Sequence, residues 1–274
     1  MIDIHGAARY LHDQQPVQVQ VPGWPAGHAR VAVLDGMGGH GCGREAAQAV
    51  AAGLLGIAAC STLADLSTRL DALHLELLAQ FADGADPERR PGTTLTLIEL
   101  PPDAPALLYH VGDSRLYRVA DGCAAPLTVD HVPATAFAMQ GLLSEREWWD
   151  QVHGEHRPQI SQAFILGNAF DNAAELSDPL MALTDCALPP WLSHLPDRRA
   201  IALDPDAVYV LASDGFWSCG DPRAWLQRWP GLLAGSASAA DAVRTLFDTM
   251  AADPPRPLYP DNLTAVVLAP RQRT

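Results

Sequence analysis

Four aspartates share one local setting in this 274-residue chain. Asp35 follows the apolar run Val31 to Leu34 and precedes Gly36, and Asp214 follows Leu211 to Ser213 and precedes Gly215. Asp113 stands between Gly112 and Ser114 after another apolar run, and Asp261 sits in a turn with Tyr259, Pro260 and Asn262 that leads into a strand. One Asp in such a place is ordinary turn chemistry. Several of them, two followed by glycine, make a shared purpose the stronger reading. If the four converge, their charges cannot all persist without cations. Hard oxygen donors, with no Cys-x-x-Cys and no paired-histidine spacing nearby, point to magnesium or manganese rather than zinc. A carboxylate cluster with open coordination positions can activate water and clamp a phosphoryl group. The sequence alone leaves the convergence open.

The elements that must carry these acids can be read from periodicity. Val17, Val19 and Val21 alternate with glutamines as in a half-buried strand, and residues 29–34 form a more uniformly apolar one. A helix is expected from about Gly43 to Cys60, followed by another capped by Ser61 or Thr62. In that second helix Leu66, Leu70, Leu73, Leu77 and Phe81 form a core stripe. Strands are expected at 93–100, 106–111 and 116–119, with a hairpin at Asp121 and Gly122 and a further strand to Leu127. Residues 133–170 turn helical and mixed, with a capping box at Ser144 and Glu147. Residues 171–200 read as irregular connection. A buried strand at 207–213, helices at 222–229 and 239–250 and a closing strand at 263–268 complete the chain. The strands cluster rather than alternate with helices, so the fold class is α+β with antiparallel sheets.

Composition narrows the function classes. Hydrophobic residues make up 48% of the chain, enough for a sizeable core. The net charge of −14 and the lack of a basic stripe argue against nucleic acid as a partner. All 18 basic residues are arginine, which excludes Schiff-base chemistry and a Walker-type lysine. The five scattered cysteines suggest reduced thiols in a cytoplasmic protein, and neither a signal peptide nor a membrane span is expected.

Taken in order, the motifs resemble the PP2C-like (PPM-type) metal-dependent serine/threonine protein phosphatases, in particular their compact bacterial branch. The resemblance runs from Gly6 to Leu268. Gly6 and Arg9 with His12 and Asp13 are similar to the family's opening element, and residues 35–40 (Asp-Gly-Met-Gly-Gly-His) to its bacterial signature. Residues 92–94 (Gly-Thr-Thr), 111–115 (Val-Gly-Asp-Ser-Arg) and 127–131 (Leu-Thr-Val-Asp-His) follow in the family's order. Residues 141–145, 213–215 and 261–264 continue it.

The resemblance implies a four-layer α-β-β-α sandwich forming a single domain over 1–274, with a flap at about 133–170. It implies two manganese or magnesium ions and a weaker third. Asp35 would bridge the two ions and the Gly36 carbonyl would bind one of them. Asp214 and Asp261 would complete the other ion, and Asp13 would serve the water shell of its partner. Asp113 with Asp214 would serve the third. Arg9 would grip the substrate phosphate with its bidentate fork, and Asn262 would support Asp261. His40 is a candidate general acid, against capping or exposure as the alternatives. The other nine histidines read as surface or core fillers. Partners implied are phosphorylated proteins and a cognate Ser/Thr kinase, with the chain itself monomeric.

One departure stands out. The family's opening Arg-x-x-Asn-Glu/Gln-Asp is replaced here by Arg9, Tyr10, Leu11, His12, Asp13 and Gln14. It motivates a rival of another class, a pseudophosphatase that keeps the fold as a phosphoprotein-binding module. A third idea, an aspartyl nucleophile at Asp204 and Asp206, fails because those acids precede their strand and the chain lacks lysine. For Trp148 and Trp149, a helix anchored by aromatic burial is favoured over a docking wall. Trp217, Trp225 and Trp229 are expected on the core side.

Overall fold

The computed structural model describes residues 1–12, 15–37, 42–82, 90–170, 172 and 175–269. In chain order it begins with β1 (Ala7–His12), β2 (Gln15–Gln20), β3 (Ala29–Val33), β4 (Gly36–Met37), α1 (Cys42–Gly56) and α2 (Leu63–Ala82). Then come β5 (Gly92–Thr93), β6 (Leu95–Leu100), β7 (Ala106–Val111), β8 (Arg115–Ala120), β9 (Cys123–Pro126), α3 (Pro133–Met139) and α4 (Glu145–Val152). The remainder comprises β10 (Gln162–Ala163), β11 (Gly167–Asn168), β12 (Arg198–Ile201), β13 (Val208–Ala212), α5 (Pro222–Leu226), α6 (Trp229–Leu233), α7 (Ala239–Ala252) and β14 (Ala265–Leu268). The α+β class with antiparallel sheets is borne out. No helix among the described residues is long and apolar enough to cross a membrane, and all five cysteines are unbridged.

The chain forms two compact units. The first comprises Met1–Gly112, Ser161–Thr184 and Asp197–Ala202. Its four-stranded sheet runs β12-β7-β6-β3. Alternate residues Leu95 and Leu97 of β6 and Leu107, Tyr109 and Val111 of β7 share a core with α1 and α2, as the period-2 geometry of a strand requires. The expected stripe of α2 supplies Leu66, Leu70, Leu73 and Leu77 to that core, and Thr62 Oγ1 accepts the Asp65 N–H at its start. Arg30 on β3 is buried, pairs with Glu99 at 2.6 Å and donates to the carbonyls of Leu54, Ile57 and Ala58. A guanidinium there satisfies carbonyls that the end of α1 leaves open and complements its dipole.

The second unit comprises Asp113–Ile160, Asp185–Pro196 and Leu203–Thr274. Its sheet runs β14-β13-β8-β9. Tyr117, Phe216, Trp217, Trp225 and Trp229 dominate its core, with Leu246 and Met250 of α7. The three tryptophans are thus buried as expected. At the β8–β9 hairpin both Asp121 and Gly122 take positive φ, the geometry an Asp-Gly pair favours. The capping box of α4 forms as read, with Ser144 accepting from Glu147 N–H and Glu147 reaching back. Trp148 is buried and its indole donates to Thr135 Oγ1 at 3.0 Å, which anchors α4. Trp149 is exposed and lies against His153.

Two expectations need correction, and one strand was not anticipated. Residues 171–200 are not all connection: β12 begins at Arg198 and pairs along β7 as an edge strand. Its two leading arginines hide it from a hydrophobicity reading. The helix expected over 222–229 is two short ones, α5 and α6, and Pro230, in the first turn of the second, lacks the N–H that a continuous helix needs. The hairpin strand β1, which carries Arg9, had no strand signal of its own.

Candidate metal site

In the second unit, the Asp214 turn is fixed by its neighbours. β13 ends at Ala212, and Asp214 opens a single 3-10 turn through Phe216. Ser213 N–H donates to the Thr264 carbonyl at 3.0 Å, and Ser213 Oγ accepts from Thr264 N–H at 3.1 Å. A Cβ on Gly215 would stand 2.2 Å from the Asn262 carbonyl oxygen. Only glycine allows this approach, and it sets the Asp214 turn beside the loop that carries Asp261. Asp261 is oriented in turn: one oxygen accepts the Asn262 N–H at 2.7 Å and the other faces Ser218 Oγ at 3.3 Å. The support Asn262 gives Asp261 here is from its main chain.

Asp113 lies between β7 and β8 and is buried. Burial, then the charges of Asp214 and Asp130, hold its carboxyl well above the ordinary carboxylate range. Asp261 is pushed up by burial and by Asp214, against the Asn262 amide and the Ser218 hydroxyl. Asp113 and Asp261, 148 positions apart in sequence, therefore both feel Asp214 within one unit. Acids that raise one another's pKa and offer only hard oxygen fit a divalent cation. Among the described residues, no group of three His, Cys, Asp or Glu side chains is arranged to hold an ion as it stands.

Two residues of this neighbourhood escaped the sequence reading. Asp130, within the motif at 127–131, forms a buried fork with Arg115, at 2.7 Å from Nη2 to Oδ2. Burial works against the Arg115 charge, but Asp130 and Tyr117 more than offset it, so the guanidinium binds its proton more tightly than usual. The other is His156, whose Nε2 is 3.1 Å from Asp214 Oδ2. It corrects the view of all histidines other than His40 as fillers. No spacing rule could have found it, because it approaches Asp214 from 58 positions away. A cavity of about 270 Å³ is lined by Asp113, Asp130, Arg115 and His156 among others.

The remaining predicted residues that are described lie in the first unit. Asp35 follows β3; its N–H donates to Thr94 Oγ1 at 2.9 Å and its carbonyl accepts the Thr94 N–H at 2.8 Å. Gly36 pairs with Thr93, and a Cβ on it would be 2.1 Å from the Gly43 carbonyl oxygen. The reverse contact is also close, 2.6 Å from a Gly43 Cβ to the Gly36 carbonyl carbon, so the start of α1 presses on the Asp35 turn. Arg9 is exposed on β1, its Nε 3.4 Å from Gln18 Oε1 across the hairpin. Asp13 and His40 lie outside the described residues.

Comparison with known proteins bears on the fold. No protein-family model matches the chain. The serine/threonine protein phosphatase PstP of Mycobacterium tuberculosis is 34% identical over 126 residues, which is 44% of this chain and 24% of that protein. The match thus spans about a quarter of the curated relative's length. A solved serine/threonine phosphatase from S. agalactiae superposes with a TM-score of 0.64 at 20% identity, over 96% of this chain and 91% of that one. The chain has the fold of the PP2C-like serine/threonine phosphatases. The catalytic domain of PstP, solved with two manganese ions, superposes with a TM-score of 0.57 at 22% identity, over 96% of this chain and 90% of that one. Its coverage supports the same assignment, and the α+β expectation stands with it.

Proposed function

We propose that this chain is a metal-dependent protein serine/threonine phosphatase that hydrolyses phosphoserine and phosphothreonine without a covalent phosphoenzyme. The observation that carries the reading is the packing of Gly215 on Asn262, which brings Asp214 and Asp261 together with Asp113 in range of the same charge. Asp35 with the Gly36 carbonyl, together with Asp214 and Asp261, are the proposed ligands of two manganese or magnesium ions. Asp113 with Asp214 would serve a third, and Asp13 a water shell. When bound, such ions polarise a phosphoryl oxygen and lower the pKa of a water.

The protein's part is to orient. Thr94 fixes the main chain of Asp35 from both sides, and Ser218 and Asn262 fix Asp261. The exposed Arg9 guanidinium suits a phosphate, whose oxygens it meets two at a time. His40 is proposed as the acid that protonates the leaving alkoxide. In this reading the chain is one domain with a flap over 133–170 and works as a cytoplasmic monomer on phosphorylated proteins, opposing a Ser/Thr kinase. Its acidity disfavours nucleic acid.

The test is turnover of p-nitrophenyl phosphate by chelator-treated protein to which manganese is returned. Turnover that vanishes with chelator and returns with manganese is expected. The altered opening element around Asp13 favours a second reading, a phosphoprotein-binding module. No turnover at any metal concentration, with phosphopeptide binding retained, would decide for that module.

A further inference from the structure

Resting on the metal-dependent reading above, we infer that His156 is a nitrogen ligand of the ion held by Asp214, and that it biases this site toward manganese over magnesium. The first ground is distance. His156 Nε2 and Asp214 Oδ2 are 3.1 Å apart. Two donors at right angles on a small octahedral ion with bonds of about 2.1 Å stand about 3.0 Å from each other. The pair is therefore spaced as adjacent ligands are.

The second ground is hydrogen bonding. His156 Nε2 is buried and makes no hydrogen bond of acceptable geometry among the described residues, although the Asp214 oxygen is so near. A buried imidazole nitrogen without a hydrogen bond is costly. A cation between nitrogen and carboxylate removes that cost.

The third ground is placement. The His156 side chain is 10% exposed and faces acids on more than one side. It lines the cavity shared with Asp113 and Asp130 and a second one, of about 400 Å³, shared with Asp261 and Ser218. The segment that carries it is tied down: His156 N–H donates to the Cys219 carbonyl at 3.3 Å, and Tyr259 hydroxyl donates to Glu155. A Cβ on Gly154 would be 2.2 Å from the Asp150 carbonyl oxygen, so this bend follows α4 closely. The ring is thus delivered by a fastened loop.

Manganese and magnesium both favour carboxylate, carbonyl and water, but manganese, a softer first-row transition ion, accepts an imidazole nitrogen more readily than magnesium does. A single nitrogen among oxygens should therefore separate manganese from magnesium, which the carboxylates alone do poorly. The test uses the whole chain, as wild type and as His156→Gln, with manganese and magnesium binding measured by calorimetry and bound manganese examined by pulsed electron paramagnetic resonance. We expect a directly coordinated nitrogen signal in the wild type that is lost in His156→Gln, and an about tenfold fall in the ratio of manganese to magnesium affinity. Manganese bound with no such nitrogen signal, or an unchanged ratio in the variant, overturns the assignment of His156 while leaving the metal centre intact. No manganese bound by the wild type overturns both. Circular dichroism of the variant separates loss of a ligand from loss of fold, and His156→Asp, which restores an oxygen donor, should bind metal with the preference moved toward magnesium.

Discussion

The Asp35 turn and the Asp214 turn end apolar strands with the same two letters, Asp-Gly, yet they are built by different means. At Asp35 the glycine meets another glycine: Gly36 faces Gly43, and the start of α1 closes on the turn. At Asp214 the glycine meets a loop: Gly215 faces the Asn262 carbonyl and so aligns a second acid, Asp261. Behind each turn lies one buried arginine. Arg30 sits on β3 itself and binds the Leu54 carbonyl of α1 and the Ile57 carbonyl just after it, as well as Glu99. Arg115 is the cross-strand partner of Ala212, two residues before Asp214, and binds Asp130 and the Val152 carbonyl at the end of α4. A strand-end acid is thus held by whatever the neighbouring chain offers, a helix in one case and a loop in the other. What recurs is a glycine for close approach and a buried guanidinium to tie the strand to a helix.

The largest expected effects are on stability. Arg30→Met and Arg115→Met each take the guanidinium from a buried carboxylate, although Glu99 keeps His28 and the Cys60 N–H, and each should cost about 3–5 kcal/mol in urea denaturation. If one costs less than about 1 kcal/mol, its fork is not structural and the parallel between the two turns breaks there. Next come Asp35→Asn and Asp214→Asn. Both should lower manganese-dependent turnover by about a thousandfold with little change in melting temperature, since neither side chain is part of the core. Ordinary turnover in either variant would remove that acid from the proposed ligand set.

Smaller effects sharpen the comparison of the glycines. Gly36→Ala and Gly215→Ala force a methyl against a main-chain carbonyl, and each should cost about 1–3 kcal/mol. Gly215→Ala should also weaken metal binding, because it pushes the Asp261 loop away; Gly36→Ala should instead loosen the start of α1, read by amide hydrogen exchange. A further effect concerns the first unit alone. Burial pushes the Asp197 carboxyl up to about 7, although the Leu183 amide and Arg198 favour its charge. A raised acid binds its proton more tightly folded than unfolded, so stability falls as pH rises between about 4 and 7. Asp197→Asn should flatten the stability profile across that window, and an unchanged slope would show that Asp197 titrates normally.

Much of the scaffold could be read from local pattern. The strands β7 and β13, the stripe of α2 and the capping box at Ser144 follow from periodicity and capping chemistry that act over a few residues. The edge strand β12 could not, because its charged residues Arg198 and Arg199 earn their place through pairing with Tyr109 and Leu108. Asp113, Asp214 and Asp261 were found by their setting, an acid where an apolar strand gives way to a turn. His156 had no such setting and no spacing to betray it.

By itself, the sequence determined which acids stand at strand ends, which glycines permit close turns and that the class is α+β, since these depend on residue type and short-range geometry. Tertiary structure alone decided that Gly215 packs on Asn262, that Arg115 pairs with Asp130 and that His156 meets Asp214. Those are meetings of segments far apart along the chain, and they arise from how β8, β13 and the loops around them bury one another, a sum of packing over many residues that no local stretch encodes.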